Sequence, residues 1–157
     1  MNRTAQAVPG ARLLDPANHA LVLIDFQSQM AFATHSISAV ELRSNAGLVA
    51  QAAAGFRVPT VLTTVAARTF SGPMFDEVTA PFGSQPLLDR TSMNTWEDAA
   101  VIAEINRIGR RRIVLAGLWT SVCIVGPALS ALDQGLDRKS TRLNSSHTDI
   151  SRMPSSA

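Results

Sequence analysis

The feature that most constrains the fold is a continuous apolar run, ALVLI, at residues 20–24, which ends at Asp25. A strand with one face in water alternates apolar and polar residues, whereas an unbroken run is typical of a strand buried on both faces. Strands of that kind belong to parallel sheets that are covered by helices on both sides. The run therefore predicts an α/β fold, with Asp25 at the carboxyl end of a buried strand.

The rest of the sequence alternates between strand-like and helix-like segments. Apolar and β-branched runs predict strands at residues 58–65, 86–89 and 113–116, while apolar positions three and four residues apart predict helices at residues 40–56, 96–108 and 121–134. Residues 66–86 are rich in Pro and Gly and predict a long loop, a type of segment that is often functional. This order predicts a three-layer α/β/α domain with a parallel, Rossmann-like sheet and right-handed crossovers.

Cys123 is the only cysteine in the chain and follows the predicted strand at residues 113–116, where a helix should begin. Unpaired N–H groups and the positive end of the dipole at a helix start favour thiolate over thiol, so this position suits a nucleophile. The alternative is a small buried core residue, because free cysteines are often core. Ligands bind beyond the carboxyl ends of parallel strands. If the strands before Asp25 and Cys123 are neighbours, both side chains open into one crevice.

Composition and charge exclude several classes of protein. The 157 residues fit one domain, and a single cysteine excludes an internal disulfide and a four-thiolate zinc site. No apolar run approaches the ~20 residues of a membrane helix, and the start of the chain lacks the apolar core of a secretion signal. The net charge is +2, but residues 138–157 contain four basic residues and one acidic residue, so the rest of the chain sums to −1. We therefore expect a cytoplasmic protein that binds neither nucleic acid nor a membrane.

The composition changes abruptly after Asp137. Residues 138–157 include six serines and few apolar side chains, so they cannot bury enough surface to offset the entropy of ordering the chain. A strand should follow the helix that closes at Gly135, and Leu136 looks like its first residue, but the pattern stops there. We predict a partial domain at residues 1–137, incomplete at its C-terminus, and a disordered or foreign tail at residues 138–157. Without a further strand, residues 113–116 would be an exposed sheet edge.

Three motifs of the sequence together resemble the isochorismatase-like cysteine hydrolases. They are the first strand with Asp25 and Gln27, the segment VPTVLTT at residues 58–64, and the elbow LAGLWTSVC at residues 115–123. Thr63 and Thr64 with residues 71–73, and residues 94–96, look most like the YcaC-like branch of that family. The resemblance covers about residues 12–137. It implies a hydrolase of the amidase type that acts on a small-molecule substrate, needs no cofactor and, if the full-length fold is present, assembles into a homo-oligomer.

The resemblance also implies a catalytic triad of Asp, Lys and Cys. Asp25 would take the thiol proton, and Cys123 would attack a carbonyl carbon and form a thioester that water hydrolyses. The only lysine, Lys139, lies in the predicted tail, and the position that corresponds to the family lysine is Arg90. Arg90 can hold Asp25 as a carboxylate and favour the thiolate, but it cannot give up a proton at neutral pH. The alternative for Arg90 is a solvated loop charge that pairs with Asp89. The alternative for Asp25 is a helix N-cap or turn residue.

The same family has a cis peptide bond just before the cysteine, which implies one at Leu118–Trp119 here. That bond would turn the N–H of Trp119 toward a developing oxyanion, together with the N–H of Cys123. Aromatic residues near these motifs are candidates for an apolar pocket wall, with ordinary core packing as the alternative: Phe26, Phe70, Trp96 and Trp119.

Metal binding and nucleotide binding are both disfavoured by the sequence. Some amidases of this family hold a metal with one Asp and two His in the loop after the second strand, but residues 66–86 contain no His, and His35 is an isolated pocket candidate. The segment DFQSQM after the first strand lacks the Gly-x-Gly-x-x-Gly fingerprint of dinucleotide binding. The open alternative to an enzyme is an inactive truncated fragment, or a non-catalytic structural or binding member of the same family.

Overall fold

The computed structural model describes residues 13–140. Within this range five strands, β1 to β5, lie at His19–Ile24, Thr60–Val65, Leu87–Arg90, Arg112–Gly117 and Asp137–Ser140. The α-helices α1 to α5 lie at Ser28–Phe32, Ala39–Gly55, Asp76–Thr79, Ala99–Ile108 and Val125–Asp133. The strands pair in parallel in the order β3-β2-β1-β4-β5. The predicted α/β class with a parallel sheet is confirmed.

Strand β1 is the centre of the sheet. Its neighbours are β2 and β4, in a register that pairs Ile24 with Thr63 on one side and with Gly117 on the other. Val22, Leu23 and Ile24 are fully buried. The apolar run is unbroken because neither face of this strand reaches water.

The helices form one layer on each face of the sheet. The chain moves from β1 to β2 to β3 in one direction and then returns to β4 and β5 on the other side of β1. Parallel crossovers are right-handed, so this reversal puts the later helices on the opposite face. Accordingly α2 packs with α3, while α4 and α5 both contact the 3-10 turn at Thr95–Glu97. The direction in which successive strands are added to the sheet thus reverses at β4, which lies beside β1. Helices therefore cover both faces of the sheet, which is the predicted three-layer arrangement.

Side-chain caps determine where the two longest helices begin. Ser38 caps α2 and Asp98 caps α4, each by accepting hydrogen bonds of 3.0–3.2 Å from backbone N–H groups of the first turn. Helix α4 ends at Gly109, whose φ of 67° is left-handed and suits glycine. The helix predicted at residues 96–108 therefore begins three residues later, because the Asp98 cap separates it from the turn at Thr95–Glu97.

Three other helical or loop segments differ from the sequence prediction. The helix predicted at residues 121–134 is divided into a π-helical turn at Thr120–Ile124, which holds Cys123, and α5. The loop predicted at residues 66–86 contains a π turn at Ala67–Ser71, α3 and a 3-10 turn. Helix α1 was not predicted, because five residues are too few to show a periodic apolar face.

The regular structure does not stop at Asp137 as the sequence pattern predicts. Strand β5 continues to Ser140 and pairs with β4 from Arg112 to Leu115. The first three residues of the predicted tail thus belong to the sheet, because pairing uses backbone N–H and C=O groups and requires no particular side-chain period. For the same reason β4 is not the exposed edge that was predicted. The rest of the predicted tail and residues 1–12 lie outside the described residues.

Candidate active site

The carboxyl ends of three strands bring together the residues of the predicted triad. Asp25 directly follows β1, Arg90 is the last residue of β3, and Cys123 lies in the turn after β4. All three side chains are buried, and Asp25 interacts with each of the other two. The site lies beside the point where the strand order reverses, which is the usual position of a ligand site in a parallel sheet.

Asp25 and Arg90 form a bidentate ion pair with no solvent exposure. Nη1 of Arg90 donates to Oδ1 of Asp25 at 2.7 Å, and Nη2 donates to Oδ2 at 2.6 Å. Two parallel charge-assisted hydrogen bonds fix the orientation of the carboxylate as well as its charge. The predicted pairing partner Asp89 is not involved, because its Oδ1 accepts from the Thr64 hydroxyl and from the N–H of Ala67. Arg90 is therefore not a solvated loop charge.

Four of the five N–H groups of Arg90 have acceptors. Besides Asp25, Nη1 donates to Oγ1 of Thr63 at 3.1 Å, and Nη2 donates to the carbonyl oxygen of Met93 at 3.4 Å. Nε is buried and has no hydrogen-bond partner among residues 13–140. A buried donor without a partner costs about 1–3 kcal/mol, so it marks a point where an acceptor from a bound molecule would be favoured.

The surroundings of Cys123 favour the thiol over the thiolate. Burial raises the pKa of Cys123, and the negative charge of Asp25 and a side-chain hydrogen bond to Asp25 raise it further. The positive charge of Arg90 lowers the pKa, with a smaller effect. The prediction that the helix start would favour a thiolate is therefore wrong for the resting protein, because desolvation and the adjacent carboxylate outweigh the dipole.

Three non-glycine residues with left-handed backbone lie at the ends of neighbouring strands. They are Asp25 after β1, Ala66 after β2 and Trp119 after β4, with φ values of 57°, 46° and 54°. Such residues cost about 1–3 kcal/mol each and cluster at functional sites. At Asp25 the conformation is held by its N–H, which donates to the carbonyl oxygen of Thr63 at 3.0 Å, and by its carbonyl oxygen, which accepts from the N–H of Gln27 at 2.7 Å.

Gly117, the last residue of β4, allows close approach of β4 to β1. A Cβ at this position would overlap the carbonyl oxygen of Ile24 and would lie 3.0 Å from side-chain atoms of Ile24 and Ile124. The requirement is steric, since every larger residue would push the two strands apart. This glycine thus sets the separation between the strand that carries Asp25 and the turn that carries Cys123.

The elbow differs from the implied oxyanion arrangement in two respects. Residues 13–140 contain no cis peptide bond, so the one implied at Leu118–Trp119 is absent, and the left-handed Trp119 turns the chain instead. The N–H of Cys123 donates to the carbonyl oxygen of Trp119 at 2.8 Å, so this helical bond occupies the second implied oxyanion donor. The N–H of Trp119 has no backbone acceptor in the described range, and its oxyanion role stays a prediction.

Gln27 fastens the loop after β2 to the end of β1. Its amide nitrogen donates to the carbonyl oxygens of Val65 and Gly72, at 3.2 and 2.6 Å, and its amide oxygen accepts from the N–H of Val65 at 2.9 Å. The side chain is fully buried. The sequence identifies Gln27 only as part of a motif. In the structure its side chain holds the loop after β2 against the end of β1, beside Asp25.

The predicted pocket aromatics are not gathered at the site. Phe26 and Trp96 belong to the hydrophobic core, where Phe26 packs against Phe75 with ring centroids 6.3 Å apart. Phe70 is exposed and Trp119 is half-buried, so these two remain the candidates for a pocket wall. Core packing, the stated alternative, accounts for the other two.

The described part of the chain holds no obvious cation site and no membrane helix. Within residues 13–140, no three His, Cys, Asp or Glu side chains are grouped so that they could hold a metal ion. His35 is exposed and stands apart from the triad in sequence. None of the helices in that range has the length and apolarity needed to cross a bilayer.

Sequence reasoning missed Thr63, whose hydroxyl contacts Arg90 inside the site. The available signal was the Thr63-Thr64 pair near the end of β2. Neighbouring residues of a strand face opposite sides, so only one of the two can face a site on a given side. The contact with Arg90 identifies it as Thr63, while Thr64 faces Asp89.

Comparison with protein families matches the isochorismatase domain to residues 19–138. Among curated proteins, the probable hydrolase YcaC of Escherichia coli (strain K12) is 30% identical over 125 residues. The match covers 79% of this chain and 60% of that protein. The chain therefore spans less than two thirds of the length of this curated relative.

Two solved structures are similar to this chain in both sequence and fold. The YcaC gene product of Escherichia coli, described as an octameric hydrolase of unknown specificity, matches with a TM-score of 0.77 and 30% identity over 86% of this chain and 66% of that one. YcaC from Pseudomonas aeruginosa, solved with hexane-2,5-diol and covalent acrylamide, matches with a TM-score of 0.78 and 28% identity over 85% and 67%. The resemblance to the YcaC-like branch is confirmed. Because the family match covers most of this chain, the chain belongs to the isochorismatase domain family.

Proposed function

We propose that this protein is a cysteine hydrolase that cleaves the C–N bond of a small amide through a thioester on Cys123. One observation carries the proposal: a buried thiol interacts with Asp25, whose carboxylate is oriented by two hydrogen bonds from Arg90. A nucleophile with a base in reach, and a third group that orients the base, is the arrangement used in covalent catalysis. The relatives described as hydrolases support the same reaction class.

In the first half of the reaction, Sγ of Cys123 attacks the carbonyl carbon of the amide. The thiol proton passes to Asp25 as the S–C bond forms, so no free thiolate is needed beforehand. The tetrahedral intermediate then collapses, the C–N bond breaks, and Asp25 returns the proton to the departing amine. The products of this half are an amine and a thioester on Cys123.

In the second half, water attacks the thioester carbonyl and gives a proton to Asp25. The C–S bond breaks, and the proton on Asp25 returns to the sulfur, which restores the thiol and releases a carboxylic acid. The sum is an amide and water converted to an amine and an acid. Arg90 keeps its proton throughout, so Asp25 carries every proton. The negative charge alternates between Asp25 and the oxygen of the tetrahedral intermediate, and the guanidinium stabilises Asp25 whenever it is the carboxylate.

The size of the substrate and the assembly of the protein are part of the proposal. The Cys123 side chain is fully buried, so only a small acyl group can reach Sγ without a large displacement of the chain. A cytoplasmic, reducing compartment fits a reaction that needs a free thiol. A homo-oligomer is supported by the octameric description of the Escherichia coli relative and by exposed apolar side chains on α5, namely Val125, Leu129 and Leu132.

A non-catalytic binding role is the second candidate function. The observation in its favour is that Arg90 donates a hydrogen bond to each carboxylate oxygen of Asp25, so both oxygens that could take the thiol proton are already engaged. In that case the protein would bind small amides but release no amine.

The test follows alkylation of Cys123 by acrylamide at pH 7, using intact mass spectrometry of the full chain. Acrylamide is a small electrophile that thiols attack at its terminal alkene carbon, so its adduct reports both access to Sγ and removal of the thiol proton. We expect the wild type to react, Cys123→Ser to form no adduct, and Asp25→Asn to react at least about tenfold more slowly. Asp76→Asn, a change at an exposed aspartate, is the matched control and should react like the wild type.

Release of amine from a panel of small primary amides then separates catalysis from binding. An Asp25-dependent adduct together with amine release supports the hydrolase. An adduct that forms equally fast in Asp25→Asn contradicts the assignment of Asp25 as the base. Saturable amide binding to the wild type without amine release supports the binding role.

A further inference from the structure

Resting on the function proposed above, we infer that Thr63 is a positioning residue that sets the plane of the Arg90 guanidinium and thereby aims Asp25 at Cys123. Thr63 lies in β2, the strand between β1 and β3, and is fully buried. Its Oγ1 is 3.1 Å from Nη1 of Arg90 and 2.9 Å from the carbonyl oxygen of Leu88. Neither contact reaches Cys123, so Thr63 acts through Arg90.

The direction of both hydrogen bonds of Thr63 is fixed by chemistry. An arginine can only donate and a carbonyl oxygen can only accept. The hydroxyl must therefore give its hydrogen to Leu88 and present a lone pair to Arg90. A side chain that has a single rotor and two partners of opposite kind cannot turn without breaking one of these bonds.

The consequence for Arg90 follows from its planar donor set. Each terminal nitrogen has two N–H groups, and Asp25 takes one from each. The remaining two are taken by Thr63 on one side and by the carbonyl oxygen of Met93 on the other. These outer acceptors flank the fork and prevent rotation of the guanidinium plane, which would break the bidentate contact. The Met93 contact is the longer at 3.4 Å, so Thr63 is the stronger of the two.

The adjacent Thr64 provides an internal comparison. It is also fully buried in β2, and its hydroxyl also makes a hydrogen bond across to β3, at 2.9 Å, but the acceptor is Asp89. Loss of either hydroxyl removes a hydrogen bond that the threonine donates from β2 to β3, to Leu88 for Thr63 and to Asp89 for Thr64. Only loss of the Thr63 hydroxyl removes an acceptor from Arg90.

The test compares Thr63→Val, Thr63→Ser and Thr64→Val by the rate of acrylamide alkylation of Cys123 as a function of pH. We expect Thr63→Val to react about tenfold more slowly at pH 7, the usual order for loss of one buried hydrogen bond to a charged group. Its rate should rise only at alkaline pH, as for a thiol without an oriented base. Thr63→Ser should restore the wild-type profile, and Thr64→Val should keep it. If Thr63→Val does not fold, as judged by circular dichroism, Thr63→Ala replaces it.

The outcomes separate this inference from the proposed function. Equal rates and pH profiles for the Thr63→Val and Thr64→Val variants would overturn the role of Thr63, even if alkylation still depends on Asp25. Alkylation of the wild type that does not depend on Asp25 would instead overturn the proposed function. A slow Thr63→Val variant that Thr63→Ser fails to restore would also contradict the role, because the serine keeps the hydroxyl.

Discussion

The terminal nitrogens of Arg90 lie 2.7 and 2.6 Å from the two carboxylate oxygens of Asp25, and both side chains are completely buried. Desolvating two charges is costly, and good geometry and further hydrogen bonds are what offset that cost. Thr63 and the Met93 carbonyl oxygen accept from two of the three remaining donors of Arg90, and Nε has no partner among residues 13–140. The pair therefore links the stability of the sheet to the orientation of the proposed base.

Replacements of Arg90 should distinguish the effect of its positive charge from that of its planar set of donors. Arg90→Met leaves Asp25 buried without a counter-charge, and we expect a loss of about 3–5 kcal/mol in the free energy of unfolding, measured by urea denaturation at pH 7. Arg90→Lys keeps the charge but loses the planar fork, so it should lose less stability and keep Asp25-dependent alkylation of Cys123.

Arg107→Met is the control, because the ion pair of Arg107 with Glu104 has the same length of 2.6 Å but Arg107 is exposed. Arg107→Met should lower the free energy of unfolding by no more than about 1 kcal/mol. Equal losses for Arg90→Met and Arg107→Met would contradict the role of burial.

The raised pKa of Cys123 predicts that the protein loses stability in alkaline solution. In the unfolded chain the thiol loses its proton near pH 8.5, whereas the folded protein keeps it to higher pH. The native state then binds more protons than the unfolded state, so the free energy of unfolding falls as pH rises above about 8.5. Relative to Cys123→Ser, we expect the wild type to lose about 2 kcal/mol between about pH 8.5 and about pH 10.5.

Urea titrations of both proteins across this pH range measure the difference. The sequence is well suited to this experiment because it has no tyrosine and a single lysine, so few other groups titrate there. Parallel stability curves for the wild type and Cys123→Ser would show that the folded thiol titrates normally.

Gly117→Ala should disturb the candidate active site through a movement of β4. The added Cβ would overlap the carbonyl oxygen of Ile24, so β4 must move away from β1. We expect a loss of about 1–3 kcal/mol in stability, measured by thermal denaturation, and slower alkylation of Cys123. Gly55→Ala is the matched control, since a Cβ there meets nothing within 4 Å, and it should be neutral or slightly stabilising. A wild-type melting temperature for Gly117→Ala would contradict the close approach of the two strands.

Gln27→Leu should release the loop after β2. The change removes the buried hydrogen bonds to Val65 and Gly72, each of which leaves a backbone group without its partner. Arg68 lies in that loop at Ala67–Ser71, so limited trypsin digestion at native temperature should cut faster after Arg68 in the variant. Gln51→Leu, at an exposed position in α2, should leave this cleavage unchanged. Resistance of Arg68 in Gln27→Leu would show that other contacts hold the loop.

Local patterns in the sequence determined the class of fold and two of the three central residues. The apolar run before Asp25 predicts a strand buried on both faces, and a run of that kind has few solutions other than a parallel sheet. The position of Cys123 after another such run placed it at the same edge of the sheet. These inferences succeed because burial and helical or strand periodicity are properties of neighbouring residues in the chain.

The tertiary structure decided what these residues do to one another. The pKa of Cys123 is raised rather than lowered because burial and Asp25, which is distant in sequence, outweigh the local helix start. Arg90 is paired with Asp25 rather than with the adjacent Asp89, and Thr63 rather than Thr64 supports it, because strand pairing sets which side chains face each other. Strand β5 likewise forms through backbone pairing with β4 and leaves no periodic signal. Periodicity predicts which face a residue takes, but charge, desolvation and hydrogen bonding depend on the groups that the fold brings within a few ångströms.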